Sequence, residues 1–206
     1  MLVHTSLEQL PDFTNAVITI GSFDGLHVGH RQLLSRVNRL ARQRDGESVV
    51  ITFDPHPRRV IYPKDTSLKL LTTTAEKVAL FSATDVDHLV LVPFTIAFSQ
   101  LSADEYISEF LVRNFKPSCI VIGYDHRFGL NRQGDINYLR EHGKTYNYDV
   151  IQIEPQDVEN ITVSSTKVRN ALLAGEVEQA RNLLGYAYQL NCKRTANRPF
   201  HWLPYC

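Results

Sequence analysis

The chain has no excess of charge. Its 22 basic and 22 acidic residues cancel to a formal net charge of zero, so no broad field draws in a polyanion. A dedicated nucleic-acid-binding or membrane-surface protein is therefore not expected, although a local phosphate site is still allowed. Long apolar runs are also missing: none approaches the roughly 20 residues needed to cross a bilayer. The opening MLVHTSLEQLPDF has no basic segment followed by an apolar stretch, so no secretory signal is expected. Cysteine is scarce. Cys119, Cys192 and Cys206 make neither a disulfide framework nor a zinc spacing, and a reduced, cytoplasmic setting is expected. Three familiar active-site signatures are absent as well. Without G-x-x-x-x-G-K-[ST] a P-loop kinase is disfavoured. Without G-x-G-x-x-G opening a helix, so is a dinucleotide dehydrogenase. Without a G-x-S-x-G elbow, so is a serine hydrolase.

What is present is enough for one domain with a substantial core: 206 residues, 43% hydrophobic. Apolar runs at 16–20, 48–53, 88–94, 119–123 and 148–153 read as five buried strands. Between and after them lie helices near 29–44, 75–83, 103–113, 133–143, 165–174 and 176–184. In the first helix Leu33, Leu34, Val37, Leu40 and Ala41 fall at helical spacing, and Asp45-Gly46 ends it. Buried strands alternating with amphipathic helices predict an α/β fold whose parallel sheet is covered on both faces. The expected strand order is 3-2-1-4-5, with the switch point beside the first strand. Ligands then bind beyond the strands' carboxyl ends, where three polar loops follow strands: GSFDGLHVGH, DPHP and GYDHRFG.

The first loop carries the strongest signal. His27 and His30 sit at the turn into a helix, and Gly25 and Gly29 let backbone approach a ligand closely. A helix N-terminus offers free N–H groups to a phosphate, and two imidazoles there can donate to phosphoryl oxygens. A glycine turn with two capping histidines is the plainer alternative. A zinc site lacks further ligands at a suggestive spacing. Ser165 and Thr166 open a later helix with Arg169 one turn on, a set suited to the outer phosphates of a nucleoside triphosphate. An ordinary N-cap with a surface arginine is the alternative there. His56 stands between Pro55 and Pro57 in a stiffened loop. Asp24 reads as a cap or as an orienter of the histidines, and Asp125 as a turn aspartate or a ligand contact. Phe128 offers an apolar face.

His-x-Gly-His after a first strand resembles the nucleotidyltransferase superfamily, whose Rossmann-like fold matches the five-stranded sheet expected here. The longer G-x-F-D-G-x-H-x-G-H is similar to its flavin-specific branch, the bacterial riboflavin kinase/FMN adenylyltransferase family. TFDPHP, GYDHRFG, Ser165-Thr166-x-x-Arg169 and RNLLGYAY, ending at Tyr188, follow in the family's order over about residues 14–190. The resemblance implies FMN and ATP as substrates, Mg²⁺ accompanying the ATP, and FAD and pyrophosphate as products. It implies His27, His30 and Arg169 as catalytic, and Gly21, Phe23, Asp24, Gly29, His30, Ser165, Thr166 and Arg169 as ATP-binding. His56, Pro57, Asp125 and Phe128 are implied to border FMN. No resident metal, nucleic acid, membrane or obligate protein partner is implied.

The resemblance stops near Asn191, which bounds an expected adenylyltransferase domain at 1–191. Residues 192–206, CKRTANRPFHWLPYC, show no strand or helix period. Shifted by one nucleotide from Cys192, permitted codons read V-N-G-Q-P-I-G-R-S-I-G-F-P-T-A, which resembles the opening of a riboflavin kinase domain. The tail is thus expected to be a disordered or frameshifted remnant, and adenylyl transfer is expected without kinase activity. A lineage-specific tail is the alternative. Two other functions stand beside the main one: a transferase using another phosphate acceptor or CTP, and a non-catalytic flavin- or nucleotide-binding protein.

Overall fold

The computed structural model describes residues 1–154, 157–158 and 161–189. The expected tail, 192–206, and the domain limit at Asn191 lie outside the described residues. Four strands form the middle of the main sheet: β2 (Val17–Ile20), β3 (Ser48–Asp54), β4 (His88–Pro93) and β5 (Cys119–Gly123). They read as unbroken Val/Ile runs because both of their faces are covered. Alternate residues supply two cores. Ile18, Ile20, Ile51, Val90, Ile120 and Ile122 pack on one side against Ile107, Phe110 and Phe115. Val17, Val50, Leu89 and Val121 pack on the other against Leu34, Val37 and Ala41 of α1 (Val28–Gln43) and against Phe81 of α3 (Thr74–Ser82).

The strand order is β1-β4-β3-β2-β5-β6, all pairs parallel. The five expected strands, ending with β6 (Asp149–Ile153), keep their expected order. The count is corrected from five to six by an added edge strand, β1 (Leu2–His4), whose Leu2 pairs with His88. Three residues, two of them exposed, leave no periodicity for a sequence reading to detect. After α2 (Pro57–Ile61), described below, and a short α4 (Ile96–Ser99) comes the helix expected at 103–113. It is wound in three parts: α5 (Ala103–Glu105), a π-helical stretch Tyr106–Val112, and α6 (Arg113–Phe115). The wider π turn points Tyr106, Ile107, Phe110 and Leu111 inward together. The helix expected at 133–143 begins later, as α7 (Ile136–Tyr146). Asp135 caps it by accepting from Asn137 and Tyr138 N–H, and Gly134 is taken up by a bridge to Phe128. A hairpin of β7 (Asp157–Val158) and β8 (Ile161–Thr162), not foreseen, precedes α8 (Ser165–Leu173) and α9 (Val177–Leu184). No helix among the described residues is long and apolar enough to cross a membrane.

With β2, β3 and β5 parallel and adjacent, the three polar loops open from the same edge of the sheet. That edge is only as well placed as the packing beneath it. Ile120 is fully buried at the centre of one core. Ile120→Ala is expected to lower stability by about 2–5 kcal/mol, read as a lower urea midpoint with unchanged slope.

Candidate active site

The loop from β2 into α1 turns through left-handed backbone at Phe23 (φ +47°), Gly25 (φ +80°) and Leu26 (φ +36°). Only glycine adopts such angles without a steric penalty, so Phe23 and Leu26 must be held by their surroundings. Both side chains are buried, Phe23 against Phe81 and the His30 ring. At Gly25 an added Cβ would lie 2.5 Å from Leu71 Cδ1.

Asp24 fixes this turn to two distant segments. Its side chain is 2% exposed. It accepts from the N–H groups of Leu71 (2.9 Å) and Thr72 (3.2 Å) and takes an ion pair from Arg169 Nη2 at 2.6 Å. Its backbone carbonyl accepts from Ser165 Oγ at 2.9 Å. Tyr186 donates to the Gly25 carbonyl at 2.7 Å and Tyr188 to the Leu71 carbonyl at 3.0 Å. The N-terminus of α8 is thereby docked on the loop that opens α1. Ser164 is the N-cap of α8, Ser165 faces the loop, and Thr166 is exposed in the first turn. Arg169 reaches Asp24 with Nη2 and the Lys69 carbonyl with Nε, so two of the guanidinium's five N–H donors are engaged here.

His27 is the N-cap of α1, its Nδ1 accepting from His30 N–H at 3.4 Å. That bond makes Nδ1 the acceptor, so the neutral ring carries its proton on Nε2. The His27 and His30 rings stack, with centroids 3.6 Å apart and planes 14° from parallel. A Cβ at Gly29 would lie in ordinary contact with this ring, 3.4 Å from His27 Nδ1. Burial pushes the His27 pKa down to about 4, against an opposing pull from Asp24. His30 is driven well below the usual range, by burial first and then by His27 and Lys77. Both rings are neutral at pH 7, and His30 Nδ1 is sealed with no protein partner.

The DPHP segment starts a helix rather than a plain turn. His56 caps α2 by accepting from Arg58 N–H at 3.2 Å, with Pro57 at the first helical position. Burial holds its pKa near 4, and Asp24, Lys77 and Arg169 all act on it. This brings His56 to the same site. In GYDHRFG, Asp125 is exposed at the rim. The Phe128 ring stacks on Tyr106 at 4.9 Å, is 5% exposed, and packs in the core. Phe23 (1%) and Asp24 (2%) are likewise buried, and they shape the loop between β2 and α1 from beneath. Three contributors escaped the sequence reading. His126 is a fourth loop histidine lowered to about 4 by burial, with Nε2 lacking a protein partner. The others are Lys77 and the tyrosine pair Tyr186 and Tyr188, which lie in the RNLLGYAY motif but were given no role there. Among the described residues no group of three or more His, Cys, Asp or Glu side chains could hold a metal ion.

A family model described as FAD synthetase matches residues 10–167. The bifunctional riboflavin kinase/FMN adenylyltransferase of Buchnera aphidicola subsp. Schizaphis graminum is 36% identical over 179 residues, covering 86% of this chain and 57% of the relative. The protein of that description from Escherichia coli K12 is 33% identical over 186 residues, covering 90% and 59%. The chain thus spans a little more than half the length of these relatives. Among solved structures, a crystal structure described as a macrolide-efflux protein from Streptococcus pneumoniae matches with a TM-score of 0.77 and 28% identity, over 90% of this chain and 61% of that one.

Two outcomes follow from the site's electrostatics. Asp24→Asn removes one partner of a buried pair and turns an amide toward two N–H donors. It is expected to cost about 3 kcal/mol, measured by urea denaturation. The histidines set the pH dependence. His27, His56 and His126 bind protons more weakly folded than unfolded, so the unfolded chain is protonated first as pH falls. Their contribution is full above about pH 6.5 and is lost as pH drops toward 4, at up to about 1.4 kcal/mol per unit for each site. A denaturation midpoint that is flat from pH 7 to 8 and falls below 6.5 is expected.

Proposed function

The chain belongs to the FAD synthetase family, and we propose that it transfers AMP from ATP to FMN, giving FAD and pyrophosphate. One observation carries this reading. The N-termini of α1 and α8 are bound to one loop by the Asp24–Arg169 pair and the Ser165–Asp24 bond. The first turns of both helices are thereby brought to one loop, an arrangement suited to a polyphosphate.

In the proposed reaction an FMN phosphate oxygen attacks the α-phosphorus of ATP in line. The new P–O bond joins FMN to AMP as the bond to pyrophosphate breaks. The chain supplies position and fixed dipoles, not a covalent intermediate. His27 offers an Nε2–H donor whose direction is set by the bond at Nδ1, and His30 is stacked beside it. Being neutral, these rings donate to phosphoryl oxygens without themselves needing a proton. Ser165, Thr166 and the α8 N-terminus are assigned to the departing pyrophosphate. Arg169 holds that terminus in place and directs its remaining donors there. Gly21 and Gly29 allow close approach to the ATP phosphates. His56, Pro57 and Asp125 are assigned to the flavin side. Phe128 supports that side as part of the core.

Magnesium is proposed to arrive with ATP. The Asp24 carboxylate is committed to N–H donors and Arg169, so the ion's ligands would be phosphate oxygens and water. Residues 1–191 are proposed to form the transferase domain, in the cytoplasm, with FMN and ATP as its ligands and no protein partner required for the chemistry. Incubation of the chain with FMN, ATP and Mg²⁺, followed by separation of flavins, is expected to yield FAD. His30→Ala, which removes one donor to developing charge, is expected to lower turnover about 10²–10³-fold. FAD formation at an undiminished rate in that variant would remove His30 from the mechanism.

A further inference from the structure

Lys77 is the charged residue that the site contains and the proposed chemistry has not used. It lies in α3, whose start is fixed by a capping box between Thr73 and Glu76. The residue is 7% exposed. Its ammonium donates to the Ser22 carbonyl at 2.8 Å and to Thr52 Oγ1 at 3.4 Å, and Thr52 Oγ1 in turn donates to that same carbonyl at 3.2 Å. Ser22 belongs to the loop that opens α1, and Thr52 to the end of β3 just before DPHP. The ammonium therefore stands between the two loops that carry His27, His30 and His56. Among the described residues no carboxylate comes within ion-pair distance of it. Burial lowers its proton affinity, and Asp24 and Asp54 oppose that from further away.

A buried ammonium with neutral partners is costly unless something compensates it. A structural tie to the Ser22 carbonyl needs only a neutral donor. The unmatched charge is positive and sits beneath a loop bracketed by two helix N-termini, so it suits an anion on the far side of that loop. We propose that Lys77 is a positioning residue for the nucleotide site, a buried cation that holds the Ser22 carbonyl and whose field stabilises the triphosphate bound above it. This rests on the reading that the site takes a polyphosphate. The ammonium does not touch substrate in the proposal. It acts through the loop and through space, where a low-dielectric interior weakens charge less than water does.

A second consequence separates the charge from the tie. The groups around the histidine pair are Lys77, Asp24 and Arg169, and Lys77 depresses the protonation of both His30 and His56. Loss of its charge should let these rings protonate at higher pH, even where the loop is intact.

The test uses the full chain and two variants. Lys77→Gln keeps a donor for the Ser22 carbonyl and removes the charge. Lys77→Met keeps the packing of the stem, and serves in its place should the Gln variant not fold. Binding of inorganic pyrophosphate and of ATP is measured by calorimetry, and FAD formation is followed from pH 5 to 8.5. In Lys77→Gln with a wild-type circular dichroism spectrum, pyrophosphate should bind about tenfold or more weaker. The acid limb of kcat/KM should also move to higher pH. Wild-type pyrophosphate affinity in that variant overturns the proposal, and so does an unmoved acid limb. If the unaltered chain forms no FAD yet binds pyrophosphate in a Lys77-dependent way, the flavin reading fails and the role of Lys77 stands.

Discussion

The site depends on the buried carboxylate of Asp24. A carboxylate at 2% exposure is tolerable only when its oxygens are filled, and here they are filled by two backbone N–H groups and a guanidinium. Those donors come from the segment ahead of α3 and from the middle of α8. Satisfying one charge therefore forces three separate stretches of chain together. The left-handed turn at Phe23, Gly25 and Leu26 is held by that assembly, and the first turn of α1 inherits its direction from the turn. A small third core, Leu71 with Val168, Leu183 and Leu184, closes beneath the same junction. Here apolar burial and ion pairing favour one geometry.

The second constraint is dielectric. His27, His30, His56 and His126 all lie on the loops or first helical turn at one edge of the sheet, and burial is the leading cause of the lowered proton affinity in each. Exposed histidines would be mixtures of charged and neutral rings near neutrality. Burial makes them uniformly neutral, and the caps made by His27 and His56 fix which nitrogen carries the hydrogen. Fixed neutral donors suit a reaction in which charge moves between phosphates, since they need not reorganise as it moves. Positive charge is left to Arg169 at the α8 end and to Lys77 under the loop, whose proton affinity burial lowers while Asp24 and Asp54 act to keep it. Lys77 and the histidines are thus opposite answers to the same burial, one paying for its charge through hydrogen bonds and the other discarding it.

Much of the frame was legible in the chain. The strands between the covered faces announce themselves as Val/Ile runs because burial on both sides admits nothing else, and the apolar spacing of α1 was borne out residue by residue. The five strands took the expected order, and the ordered motifs pointed to the family found in the comparisons. β1 was not legible: its pairing with β4 is a matter of reach, not of pattern. The packing of Phe128 was not legible, because an aromatic beside a polar loop looks the same in sequence whether or not it stacks on Tyr106. Asp24 was read as a cap or an orienter of histidines, since its main partner lies 145 residues away.

The sequence alone determined what depends on neighbours along the chain: the five buried strands and the longer amphipathic helices, where glycine permits a tight loop, and which motifs stand in which order. Local backbone preference and burial periodicity are written within a few residues. Only the tertiary structure decided what depends on surfaces meeting across the fold. It paired Arg169 with Asp24, set the histidines neutral, put Phe128 in the core and left Lys77 charged between two loops. Those outcomes turn on desolvation and on partners distant in sequence, and neither is a property of any short stretch of residues.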